Sequence, residues 1–116
     1  MNQTTHLEAK RQALLREIAA LGPMRMGSLS ERMLPQRRSD GSVRRRGPYT
    51  MYTYKKEGKT LGKHLPTEHD AQLYRRQIET YRRYEQLSRQ LVTLSQRLAD
   101  IEAAGPNEQS KKNSRR

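Results

Sequence analysis

The sequence predicts an α+β fold. It should hold an N-terminal helix, a small antiparallel β hairpin or three-stranded meander, and a long C-terminal helix that forms an antiparallel, coiled-coil-like pair with the first. Three observations predict this. Leu7, Leu14 and Leu21 recur every seven residues, and Tyr84, Leu87, Leu91, Leu94, Leu98 and Ile101 follow one another at alternating steps of three and four. Tyr49-Thr50-Met51-Tyr52-Thr53-Tyr54-Lys55 is a run of aromatic and β-branched residues, the composition of a strand. Gly22-Pro23 and Gly105-Pro106 then mark where helices must stop.

The first helix is expected over about Thr5 to Leu21, with Thr5 and Glu8 at the spacing of a capping box. Residues 1–23 are thus a helical segment. Residues 24–66 form a basic β element. Within it, Met26, Leu29 and Met33 give a weak alternation, Pro35 to Gly47 reads as a polar, Arg-rich loop, and Tyr49 to Lys55 is the clearest strand. Glu57-Gly58 supplies a tight turn, and Lys59 to Leu65 returns as the partner strand. Ser28 to Leu34 would be the third strand of a meander.

The second helix should start after Pro66, capped by Thr67, with Glu68 and Asp70 in the first turn where the helix dipole favours them. It runs over residues 67–104, and residues 105–116 form a polar, basic tail expected to be disordered. Together these segments make one domain. The step from Tyr81 to Tyr84 is three residues where the seam calls for four. That slip reads as a handover: beyond it the helix packs on the first helix or on another copy, and before it on the β element. A first helix folded back on this seam is expected to cover about half of it, which argues for a homodimer or for docking to a larger protein.

Composition limits the functions available. Hydrophobic residues are 32% of the chain, Trp, Phe and Cys are absent, and six Tyr supply the aromatic character. A large buried core is excluded on that basis, as are disulfides, thiol nucleophiles and cysteine-based zinc sites. The start of the chain is polar and lacks the apolar stretch of a signal peptide, and no run approaches the length of a membrane span, so a cytoplasmic, nucleoid-associated protein is expected. His6, His64 and His69 have no metal-ligand spacing, and no phosphate loop or nucleophile elbow is present. No catalytic residue, metal or cofactor is expected.

The charge is informative because it is localised. The chain carries +12, and from Arg25 to Lys63 there are 11 positive and 3 negative residues. The second helix holds six of each sign. Arg contributes 17 of the 24 cations, and its planar guanidinium grips phosphate and stacks on rings. The candidate nucleic-acid contacts are Arg37, Arg38, Arg44, Arg45 and Arg46 in the loop, then Tyr49, Tyr52, Tyr54, Lys55, Lys56, Lys59 and Lys63 on the hairpin. The loop arginines read as sequence-independent phosphate neutralisers, since nothing in the sequence fixes them for base readout. On the second helix, Arg75, Arg76, Arg82 and Arg83 form a stripe bordered by Tyr74, Tyr81 and Tyr84. That stripe either contacts a nucleic acid or is a solvated face paired with Glu79 and Glu85. Leu87, Leu91, Leu94, Leu98 and Ile101 are the candidate partner seam.

Tyr52 and Tyr54 share one face of their strand; Tyr49, Met51, Thr53 and Lys55 share the other. If the Tyr52 face is open it can stack unpaired bases, and if the Tyr49 face is open the sheet can enter a duplex groove. Alternation alone does not choose.

Met26-Gly27-Ser28-Leu29-Ser30-Glu31-Arg32, Gly47-Pro48-Tyr49 with Tyr52 and Tyr54, Gly58-Lys59-Thr60 and Leu65-Pro66 occur in this order. The pattern resembles a family of small uncharacterised bacterial proteins often associated with transposases and other mobile elements, over roughly Met24 to Ile101. Members carry a Cys-rich knuckle between the first two motifs; here Gln36 to Arg46 has no Cys and is Arg-rich instead. The resemblance implies a nucleic-acid-associated role with a transposase or nuclease as partner. Together these readings give a non-enzymatic accessory protein that binds DNA. An RNA-binding subunit, and a coiled-coil adaptor or inhibitor of a larger enzyme, are the alternatives.

Overall fold

The structure, a computed structural model, describes residues 2–105, excepting the side chains of residues 34 and 45–47. The predicted tail lies outside the described residues. The element order is α1 (Gln3–Ala19), β1 (Ser28–Arg37), β2 (Val43–Lys56), β3 (Lys59–Leu65) and α2 (Glu68–Ala104). This is the expected α+β order, and the three strands form a meander in the order β1-β2-β3. The chain divides into two compact units, one pairing α1 with the chain from Arg83 onward and the other spanning Gly22–Arg82. The division falls within α2, inside the Tyr81-to-Tyr84 phase slip.

In the helical unit, α1 begins one turn earlier than the capping-box reading allows. Asn2 is the N-cap, and its side-chain oxygen accepts the Thr5 backbone N–H at 2.7 Å. Glu8 is thereby released from capping and pairs with Arg11 at 3.4 Å. The two helices run antiparallel. Arg83 is ion-paired with Glu17 at one end, and Thr4 lies beside Leu98 and Ile101 at the other. The first helix therefore follows the full length of the seam rather than half of it, because the seam itself occupies only the distal part of α2. Leu87 and Leu7 are buried, whereas Leu91, Leu94, Leu98 and Ile101 remain half-buried. Two helices can cover a Leu stripe from one side only, so both flanks stay open.

In the β unit, the register pairs Leu29 with Tyr52 and Tyr52 with Lys63, which sets these side chains on the face toward α2. Tyr52, Leu65 and Ile78 form the core, with Leu29, Tyr54 and Tyr74 packed around it. Each large apolar side chain buried here contributes about 1.5–3 kcal/mol. The Tyr52 ring stacks on Tyr54 and meets Tyr74 edge-on, both with centroids 5.0 Å apart. The turn between β2 and β3 is the two-residue type expected: Glu57 and Gly58 both take positive φ, 52° and 81°, as the right-handed twist of the flanking strands requires. Thr67 caps α2 by accepting the Asp70 backbone N–H at 3.0 Å.

The segment ahead of the sheet is fastened to α2 by Arg25. Its backbone N–H donates to the Gln77 carbonyl at 3.0 Å, and its Nε donates to Gln77 Oε1 at 2.9 Å. Its guanidinium carbon lies 3.9 Å from the Tyr74 ring centroid.

One expectation is overturned here. Pro35 to Gly47 is not a loop throughout: only residues 38–42 turn, and the rest is strand. β1 continues to Arg37 and β2 begins at Val43, paired Arg37 to Val43, Gln36 to Arg44, Pro35 to Arg45 and Leu34 to Arg46. Backbone pairing satisfies the N–H and C=O groups whatever the side chains are, so polar composition does not prevent a strand.

Candidate nucleic-acid interface

β3 pairs with β2 only between Thr50 and Lys56. From Val43 to Tyr49, β2 is paired with β1 alone, forming a two-stranded ribbon that extends about 23 Å at roughly 3.3 Å per residue. All its side chains from Pro35 to Arg44 are exposed. From Arg32 to Tyr49 inclusive, the sequence carries six arginines and one acid, Asp40. Asp40 is turned to a local task. Its Oδ1 accepts the backbone N–H and the hydroxyl of Ser42 at 2.9 and 2.7 Å, and these bonds hold its carboxyl below the usual range. The tip is closed by the Arg38 N–H donating to the Ser42 carbonyl at 2.8 Å.

The ribbon has a register shift at its base. Arg32 pairs with Tyr49 and Leu34 with Arg46, so Met33 faces two residues, Gly47 and Pro48. This is a β-bulge, which bends the strand that carries the extra residue. Pro48 has no N–H to give, and the bulge is a position where none is required.

The sheet face away from α2 continues the ribbon. It presents Ser28, Ser30 and Arg32 from β1; Tyr49, Met51, Thr53 and Lys55 from β2; and Thr60, Gly62 and His64 from β3. Among the described residues this face has no carboxylate. Tyr49 and His64 meet edge-on there, with centroids 5.0 Å apart.

The predicted contact residues therefore separate. Arg37, Arg38 and Arg44 lie on the ribbon, exposed; Arg45 and Arg46 occupy ribbon positions, and their side chains lie outside the described residues. Tyr49 and Lys55 are on the open face. Lys56 and Lys59 pair at the distant β2–β3 turn. Tyr52 is a core residue, 5% exposed, with its hydroxyl donating to the Met26 carbonyl. Tyr54 is half-buried against it. Packing on α2 takes the Tyr52 face, so neither ring is open to a base. Lys63 is held to α2, its ammonium donating to the Tyr74 hydroxyl at 3.1 Å, which raises its pKa.

On α2, Arg75, Arg76 and Arg82 are exposed, and Arg75 and Arg82 border a recess with Leu29, Ile78 and Glu79. Arg83 belongs to the helical unit and is committed to Glu17 and Gln86. The ion pairs among the described residues are Glu8–Arg11 and Glu17–Arg83, not the Glu79 and Glu85 pairs considered from sequence. Arg32 was missed by the sequence reading; its signal was its place one step out of phase with Leu29 in a weak strand. Arg25 was missed as a structural residue, and no local pattern marks it.

Among the described residues no group of His, Cys, Asp and Glu could hold a metal ion, and no helix is long and apolar enough to cross a membrane. Comparison with known protein families, characterised proteins and solved structures finds no match for this chain.

Proposed function

We propose that this chain is a non-enzymatic nucleic-acid-binding accessory protein that acts on DNA. The observation that carries the reading is the cationic ribbon together with the open sheet face it continues. Arg32, Arg37, Arg38 and Arg44 stand exposed on the ribbon against one acid, and that acid is tied into the turn. Such a surface, with hydroxyls of Ser28, Ser30, Thr53 and Thr60 nearby, has the chemistry of phosphate contact. The half-buried stripe Leu91, Leu94, Leu98 and Ile101 supports a second role for the helical pair, as a homodimer contact or as a dock for a larger protein. The family resemblance extends this to an accessory of a mobile element, nucleoid-associated, with a transposase or nuclease as the larger protein.

A gel-shift salt titration tests the reading. Neutralising about five phosphates gives a log–log slope near −4.5. A flat response to salt, or no binding to any nucleic acid at low salt, overturns it.

A further inference from the structure

We infer that the β1–β2 ribbon enters the major groove of B-form duplex DNA. The inference rests on the reading above and specifies its ligand and its mode of contact.

The first argument is width. Two paired strands, about 4.8 Å apart with side chains on each face, suit a groove about 12 Å wide, which admits a two-stranded ribbon. The B-form minor groove, about 6 Å wide, does not take it without being opened. The major groove of an RNA duplex is deep and narrow, and side chains cannot read it. The ribbon thus distinguishes duplex DNA from duplex RNA by shape. Unpaired RNA is disfavoured for a separate reason: Tyr52 and Tyr54 are packed toward α2, and Tyr49 on the open face is met edge-on by His64.

The second argument is scaffolding. Arg37 and Arg44 project from strands in fixed antiparallel register, Arg37 beside Val43 on one face of the ribbon and Arg44 beside Gln36 on the other, rather than from a free loop. An arginine held in this way can present its planar fork to a guanine edge. The third argument is an apolar side chain that the fold does not use. Val43, at the ribbon tip, is 62% exposed between arginines. Apolar surface at that place suits thymine methyl groups, which line the major groove. The fourth is the bulge opposite Met33, which bends the ribbon at its base and lets Arg32 and Lys55 on the open sheet face meet the flanking phosphates.

The experiment uses the full chain and a mixed-sequence DNA duplex of about three helical turns, long enough for several overlapping sites. Methylating guanine N7, which lies in the major groove, should weaken binding; distamycin, which fills the minor groove, should not displace the protein. An RNA duplex of the same sequence should compete at least tenfold less well. The R37A/R44A double variant should lose about tenfold or more in affinity and become insensitive to N7 methylation. Its thermal unfolding should be unchanged, as both side chains lie outside the core. Displacement by distamycin, indifference of the unmodified protein to methylation, or equal competition by duplex RNA overturns the groove assignment while leaving nucleic-acid binding intact. Absence of binding to any of these probes overturns both readings. The methylation and distamycin arms need no variant, so they decide the matter even if R37A/R44A fails to fold.

Discussion

Gly27 lies against the ring of Tyr52 so closely that a Cβ at Gly27 would sit 2.6 Å from Tyr52 Cε1. The same Cβ would sit 2.6 Å from the Thr53 carbonyl oxygen, and Gly27 has φ of +124°. Both the space and the backbone conformation exclude a side chain. Gly27→Ala is therefore expected to destabilise the β unit by about 2–5 kcal/mol, combining backbone strain with overpacking against a fixed carbonyl. Urea unfolding followed by circular dichroism checks this, and a variant as stable as the parent would refute the packing described.

Tyr52 separates stability from ligand contact. Tyr52→Phe keeps the ring and loses only the hydroxyl that donates to the Met26 carbonyl. It should cost about 0.5–1.5 kcal/mol. Tyr52→Ala removes the centre of the core and should cost about 3–5 kcal/mol. The duplex affinity of the folded Phe variant should match the parent. A selective loss of single-strand binding in Tyr52→Phe would instead place this hydroxyl at a nucleic-acid surface.

Asp40 ties the ribbon tip to pH. Its folded pKa lies below the usual aspartate range because Ser42 donates two hydrogen bonds to the carboxylate. A lowered folded pKa means that the stabilisation is complete above the unfolded value and is lost as pH falls through the folded one. The turn should hold at neutral pH and loosen only below about pH 4. The Ser42 amide resonance, titrated in acid, reports it directly. In Asp40→Asn that acid transition should vanish.

The helical pair should depend on one leucine more than on its ion pair. Leu87 is 1% exposed, and Leu87→Ala should cost about 2–5 kcal/mol. Val92, on the same helix, is 63% exposed, and Val92→Ala should change stability by less than about 0.5 kcal/mol. The side chains of Arg83 and Glu17 are 46% and 50% exposed, so solvent screens them. A double-mutant cycle with Glu17→Gln and Arg83→Gln should return less than about 1 kcal/mol, falling further in high salt. A larger, salt-independent coupling would show that this pair, not the leucine, holds the helices.

Much of the fold is written locally. The Tyr/Thr run, the Glu57-Gly58 turn, the Thr67 cap and the helix stop at Gly105 each rest on neighbours a few residues apart, so the sequence determines them without help. The phase slip after Tyr81 is equally local, and the two units divide there. Tertiary structure decided the rest. A strand with period two has two chemically plausible faces, and only packing on α2 made Tyr52 core and left Tyr49, Thr53 and Lys55 open. The Arg-rich stretch looked like a loop because composition reports side chains, whereas a strand is made by backbone pairing with a partner that the stretch itself does not reveal. The chain's excess of charge was visible in the residues; its arrangement on a ribbon became definite only when Arg37 met Val43 across the turn.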